Sequence, residues 1–148
     1  MADNLPLYQR CTFDTKRLFI NSVQSQLLDK ESERIFALKV LELLSPKVTK
    51  SLPQEWQNII DLEEAQNWLQ QRLEESNFLS IKLKPNNEII GFVLIYDDES
   101  QKNKADIHIG YLLGEAYWAK GYGSEFTSLT ITISTDQSNV FLFTPIFH

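Results

Sequence analysis

Two glycines flank a tyrosine in "GYLLGEAYWAKGYGSEF", residues 110–126. Gly121 and Gly123 leave the backbone bare just after an apolar run has ended. Glycine takes positive φ without a steric penalty, so a tight turn is one reading. The other is a cradle for an anion. Bare amides opening a helix converge on one spot, and the positive end of the helix adds to them, which suits a pyrophosphate. A nucleotide-hydrolase loop would need G-x-x-x-x-G-K-[ST], and a dinucleotide fold G-x-G-x-x-G; the sequence has neither. Residue types alone leave both readings open.

Other reactive side chains are sparse. His108 lies two residues before Gly110, and an imidazole is a side chain suited to act as a general base near neutrality, directly or through water. A histidine at that place can equally be a plain strand residue. Asp106 and Glu115 are weaker candidates, and Tyr117 and Tyr122 are candidate acids whose commoner role is packing. The single cysteine, Cys11, excludes an internal disulfide and a cysteine-based zinc cluster. With only His108 and His148 besides, no metal site is expected. The net charge of −6 gives no general pull toward nucleic acid or anionic membrane and mildly favours a cationic partner such as an amine. No secretory pattern opens the chain, and no apolar stretch nears the ~18 residues of a membrane span. The expected location is cytoplasmic.

These residues need a scaffold, and 148 residues of ordinary globular composition suit one domain over 1–148. "RCTFDTKRLFINSV" alternates loosely and reads as a first strand. "ESERIFALKVLELL" reads as a helix with Ser32 as N-cap and Ile35, Leu38 and Leu41 or Glu42 at helical spacing, stopped by Ser45–Pro46. Ser51 and Gln54 make a capping-box pattern ahead of Trp56. The clearest helix is "DLEEAQNWLQQRLEE", where Asp61 and Glu64 pair as a cap and Leu62, Ala65, Trp68 or Leu69 and Leu73 form a stripe. Trp68 at that spacing reads as core.

"FLSIKLK", "EIIGFVLIYDD" and "ADIHIGYLL" follow as three strands, the middle one apolar enough to be covered on both sides. The plan is therefore α+β with a mostly antiparallel sheet. In "SEFTSLTITIS", Phe126, Leu129 and Ile133 have helical spacing, whereas the β-branched alternation from Thr127 favours a strand. We take helix, because the glycine motif needs one behind it to form an anion site. "NVFLFTPIF" reads as a final strand.

"IGYLLGEAYWAKGYGSEF" resembles the acyl-CoA-binding motif of the GNAT N-acetyltransferase superfamily, in its RimJ/RimL-like branch. The general motif is Q/R-x-x-G-x-G/A; here Trp118 fills the first position and Gly121 and Gly123 are the glycine pair. "TKRLFI" resembles the T-x-R-L opening of that branch, and "DLEEAQNWLQQRLEE" its second helix. The likeness runs from about Thr15 to Phe126 and implies the three-layer GNAT plan, a central sheet between helices.

The resemblance implies acetyl transfer from acetyl-CoA, as co-substrate, to an amine on a protein N-terminus or a small molecule, by direct attack in a ternary complex. The alternative is a non-catalytic remnant that binds acyl-CoA weakly or works as an interaction module. Cofactor contacts would fall on Tyr111, Leu112 and Leu113, and on Trp118, Ala119, Lys120, Gly121, Tyr122, Gly123 and Ser124. The amides from Lys120 to Ser124 would hold the pyrophosphate. The backbone of Tyr111 to Leu113 would pair with the pantetheine arm like an added strand, and an N–H there would stabilise the oxyanion. Family members often carry glutamate where this chain has His108. Relatives continue into a further helix and hairpin, so the likeness implies a chain shortened at its C-terminus. Phe141, Phe143 and Phe147 would then line an open edge, and a homodimer through that strand is expected.

Overall fold

A computed structural model describes residues 12–50, 52–98, 106–127 and 140–142. Strands β1 (Thr12–Asp14) and β2 (Leu18–Ser22) precede helices α1 (Lys30–Leu43), α2 (Pro46–Thr49) and α3 (Leu62–Glu75). The meander β3 (Asn77–Leu83), β4 (Glu88–Asp98) and β5 (Asp106–Leu113) follows. Residues 122–127 are helical (α4), and β6 (Val140–Leu142) is the last described strand. The six strands form one sheet in sequence order. Every neighbouring pair is antiparallel except β5 and β6, which run parallel. This is the α+β plan expected from the sequence.

Cross-strand partners share a face of the sheet, which separates its two layers. Phe92 pairs with Ser80 and Leu112, and its ring lies 5.7 Å from Phe36 of α1 and 4.9 Å from Phe78. Trp68 of α3 meets Phe78 edge-on at 5.6 Å, so α1 and α3 cover this face. Val93, one residue on, pairs with Leu79 and Tyr111, and Tyr111 packs 4.8 Å from Phe126 of α4. Helices therefore lie on both sides, and residues 90–95 of β4 are buried throughout, as their apolar run requires.

The α3 cap forms as the spacing predicts: the Glu64 amide donates to Asp61 Oδ1 at 2.8 Å. Ala65, Trp68 and Leu69 are buried, with Trp68 in the core. The α1 reading is corrected at two points. Its N-cap is Asp29, which accepts from the Ser32 amide at 2.8 Å; Ser32 is the donor and not the cap. Its buried stripe is Phe36, Ala37, Val40 and Leu43, while Ile35 and Leu38 are exposed. The aromatic payload of Phe36 against Phe92 sets the rotation of the helix.

The single first strand is also corrected, to a hairpin of β1 and β2. Its turn closes where Thr15 N donates to Leu18 O at 2.9 Å and Leu18 N donates to Thr15 Oγ1 at 3.0 Å. Pro53 caps the short 3-10 turn that carries Trp56. Ser51, the expected cap, and the segment 128–139, where helix and strand competed, lie outside the described residues, as do Cys11, Phe143 and Phe147.

Candidate active site

At the end of β5 the chain folds back on the sheet. Gly114 N donates to Ile90 O at 2.8 Å, and the Glu115–Tyr117 turn closes with Tyr117 N on Gly114 O at 2.9 Å. The Trp118 indole donates to Leu113 O at 2.9 Å, which ties the loop to the strand it leaves. φ is positive at Ala119 (61°) and Gly121 (84°) but not at Lys120 between them. Such alternation of hand turns successive amides toward one side, a geometry suited to anions. The α4 helix opens with Glu125 N on Gly121 O at 3.0 Å. Among the described residues, the amides of 120–124 find no acceptor. A Cβ at Gly123 would stand 3.0 Å from the Tyr111 hydroxyl, so the loop lies close against β5 there.

Tyr111, Leu112 and Leu113 are buried, so their side chains are occupied with packing and only the backbone is on offer. β5 pairs with β4 along its whole length and, among the described residues, with β6 over residues 107–109. His108 lies within the β5–β6 pairing, in register with Tyr96 and Phe141.

The lesser candidates have other duties. Tyr117 donates to Glu88 Oε1 at 2.8 Å; burial and this carboxylate push its phenol up to about 12, away from acid chemistry near neutrality. The same bond, with Lys39 nearby, holds the Glu88 carboxyl below its usual range despite some burial. Tyr122 lies under the Arg17 guanidinium at 4.4 Å. Glu115 faces Ser45 and Lys47, each at 3.5 Å on the surface. Asp106 pairs in register with Asp98.

Sequence reasoning missed three residues beside the loop. Glu125 accepts from Arg17 Nε at 2.7 Å, from Arg17 N at 2.9 Å and from Thr15 Oγ1. Arg17 Nη1 also donates to Lys120 O at 3.1 Å. "TKRLFI" carries weight in the sequence as a likeness only; nothing local says that it touches a segment more than a hundred residues away. Among the described residues, no cluster of three or more metal-ligating side chains occurs. None of their helices is long and apolar enough to cross a membrane.

A sheet with helices on both faces and glycines between β5 and α4 suits an acyl-CoA-dependent transferase of the GNAT kind. The acetyltransferase (GNAT) domain family matches residues 30–141, and the chain belongs to that family. Its members are N-acetyltransferases whose acyl donor is acetyl-CoA, and this chain's enzyme class and co-substrate follow from membership. No curated protein matches the sequence. Among solved structures, a GNAT-family acetyltransferase from Bacillus anthracis is 18% identical at a TM-score of 0.65, covering 88% of this chain and 69% of that one. RimL, a ribosomal L7/L12 α-N-protein acetyltransferase in complex with coenzyme A, is 16% identical at 0.60, covering 85% and 68%. A ribosomal-protein-S5-alanine acetyltransferase from Vibrio fischeri is 17% identical at 0.50, covering 89% and 73%. At these identities the likeness is one of fold.

Proposed function

We propose that this chain is an N-acetyltransferase of the RimJ/RimL-like branch, acting on the amine of a protein N-terminus or a small molecule. One observation carries the reading: the amides of 120–124, which find no acceptor among the described residues, follow directly on the backbone edge of residues 110–113 at the end of β5. The first group suits the pyrophosphate of acetyl-CoA. The second suits the amide-rich pantetheine arm, running as an extra strand. An N–H of that edge would then stand near the thioester carbonyl, where negative charge develops.

In this reading a neutral amine attacks the thioester carbon directly. A C–N bond forms, the C–S bond breaks, coenzyme A leaves as its thiolate, and the surplus amine proton passes to a base. An α-amine with a pKa of about 8 gives up that proton more readily than a lysine near ~10.4, so an N-terminal acceptor asks least of the base. His108 is our candidate for it, on its register position in β5 beside β6.

Isothermal titration with acetyl-CoA tests the site. Micromolar binding that is lost in both Gly121→Glu and Gly123→Glu supports it; no binding by the unaltered chain sinks it. Thiol release over a panel of peptides and small amines tests the activity, and His108→Ala with unchanged turnover removes the base. A homodimer is a second proposal. It rests on β6 being the terminal strand of the described sheet, with an apolar Val-Phe-Leu sequence. Light scattering that finds a monomer throughout the micromolar range contradicts it.

A further inference from the structure

The glycine loop does not hold its own shape. Of the two peptide planes flanking Gly121, the one between Gly121 and Tyr122 is fixed by α4 itself, because Gly121 O accepts from Glu125 N at 3.0 Å. The plane between Lys120 and Gly121 is fixed from outside the loop, because Lys120 O accepts from Arg17 Nη1 at 3.1 Å. No peptide among the described residues is cis. In a trans peptide the C=O and the next N–H point in opposite directions. A carbonyl held toward Arg17 therefore turns the Gly121 N–H away from it, and among the described residues that N–H has no acceptor.

Arg17 is itself well braced. Its carbonyl accepts from Lys84 N at 2.9 Å, and the Thr15–Leu18 turn locks the backbone around it. Its guanidinium reaches Glu125 at 2.7 Å and lies over the Tyr122 ring at 4.4 Å. One planar fork thus grips a carboxylate, a carbonyl and an aromatic face together. A lysine, with one compact charge, cannot reproduce this. Glu125 is half-buried, with 18% of its side chain exposed, while Arg17 keeps 41% of its own in solvent.

We propose that Arg17 is a positioning residue for the coenzyme: braced by Glu125 and Thr15, it holds the Lys120 carbonyl so that the Gly121 amide faces the acyl-CoA pyrophosphate. The inference rests on the acetyl-CoA reading above. It differs from direct contact between Arg17 and phosphate, in which Glu125 would be a competitor and its removal would free a cation for the ligand.

The test measures acetyl-CoA binding by titration, with KM and kcat for thiol release, on the full chain and on Arg17→Ala, Arg17→Lys and Glu125→Ala. Lys50→Ala, an exposed charge elsewhere, is the control. Each of the three variants is expected to weaken binding about tenfold or more, the scale for lost charge-assisted hydrogen bonds, and to raise KM while kcat at saturation stays near that of the unaltered enzyme. The Gly121 amide resonance of the ligand-free chain should move as well. Should Arg17→Ala not fold, Arg17→Lys and Glu125→Ala carry the same test. Unchanged affinity in Arg17→Lys, or tighter binding in Glu125→Ala, overturns the inference while leaving the acetyl-CoA site standing. No binding by the unaltered chain overturns both.

Discussion

At Glu125, burial and hydrogen bonding pull in opposite directions. Partial burial raises the carboxyl, but the Thr15 hydroxyl, the Arg17 amide and the Arg17 guanidinium together outweigh it and hold the group below its ordinary value of 4.5. A carboxyl depressed on folding contributes stability above that ordinary value and loses it as pH falls through the lower, folded one. Thermal melts are therefore expected to decline in acid from about 4.5 downward, with a shallower decline for Glu125→Gln. Equal slopes would mean that the carboxylate is not held in this way. The partners of Glu125 could not be read from the sequence, because Arg17 and Glu125 meet only when the β1–β2 turn and α4 are brought together. The glycines were legible, since the Gly121 φ of 84° is a demand that one residue type meets without strain.

Local signals decided the elements where they were redundant. In α3, cap, stripe and length agree, and the helix forms where they place it. Replacing Asp61 by alanine removes its bond to the Glu64 amide and should lower stability by about 1 kcal/mol in urea unfolding. A loss under a few tenths would show that the cap is idle. In α1 the signals conflict. Ile35 and Leu38 have the right period but the wrong phase, because the heavier aromatic contact of Phe36 decides which side faces the sheet. The hairpin turn at Thr15 was read through as strand, since the side-chain bond that closes it involves no glycine or proline to announce a reversal.

For the whole molecule, the sheet order follows the chain from β1 to β6, which is why the plan was legible from the succession of apolar runs. What held the layers together was not. Phe36, Trp68, Phe78 and Phe92 form one aromatic cluster across α1, α3 and the sheet, with the Arg72 guanidinium beside the rings of both Trp56 and Trp68 at 4.7 and 5.4 Å. Arg72 is buried and donates to Glu75 at 2.8 Å, while its Nε and Nη1 have no hydrogen-bond acceptor among the described residues; the indole faces are their neighbours. Phe92 is fully buried in this cluster, and Phe92→Ala is expected to cost about 3–5 kcal/mol in urea unfolding. A loss below ~1 kcal/mol would place the core elsewhere. The three tryptophans divide accordingly: Trp56 and Trp68 sit together in the interior, and Trp118 anchors the glycine loop. The protein thus carries its own optical probes, one pair reporting collapse of the interior and one indole reporting the glycine loop. Adding acetyl-CoA should alter emission in the unaltered chain and leave Trp118→Phe dark to it, whereas denaturant should be seen by both.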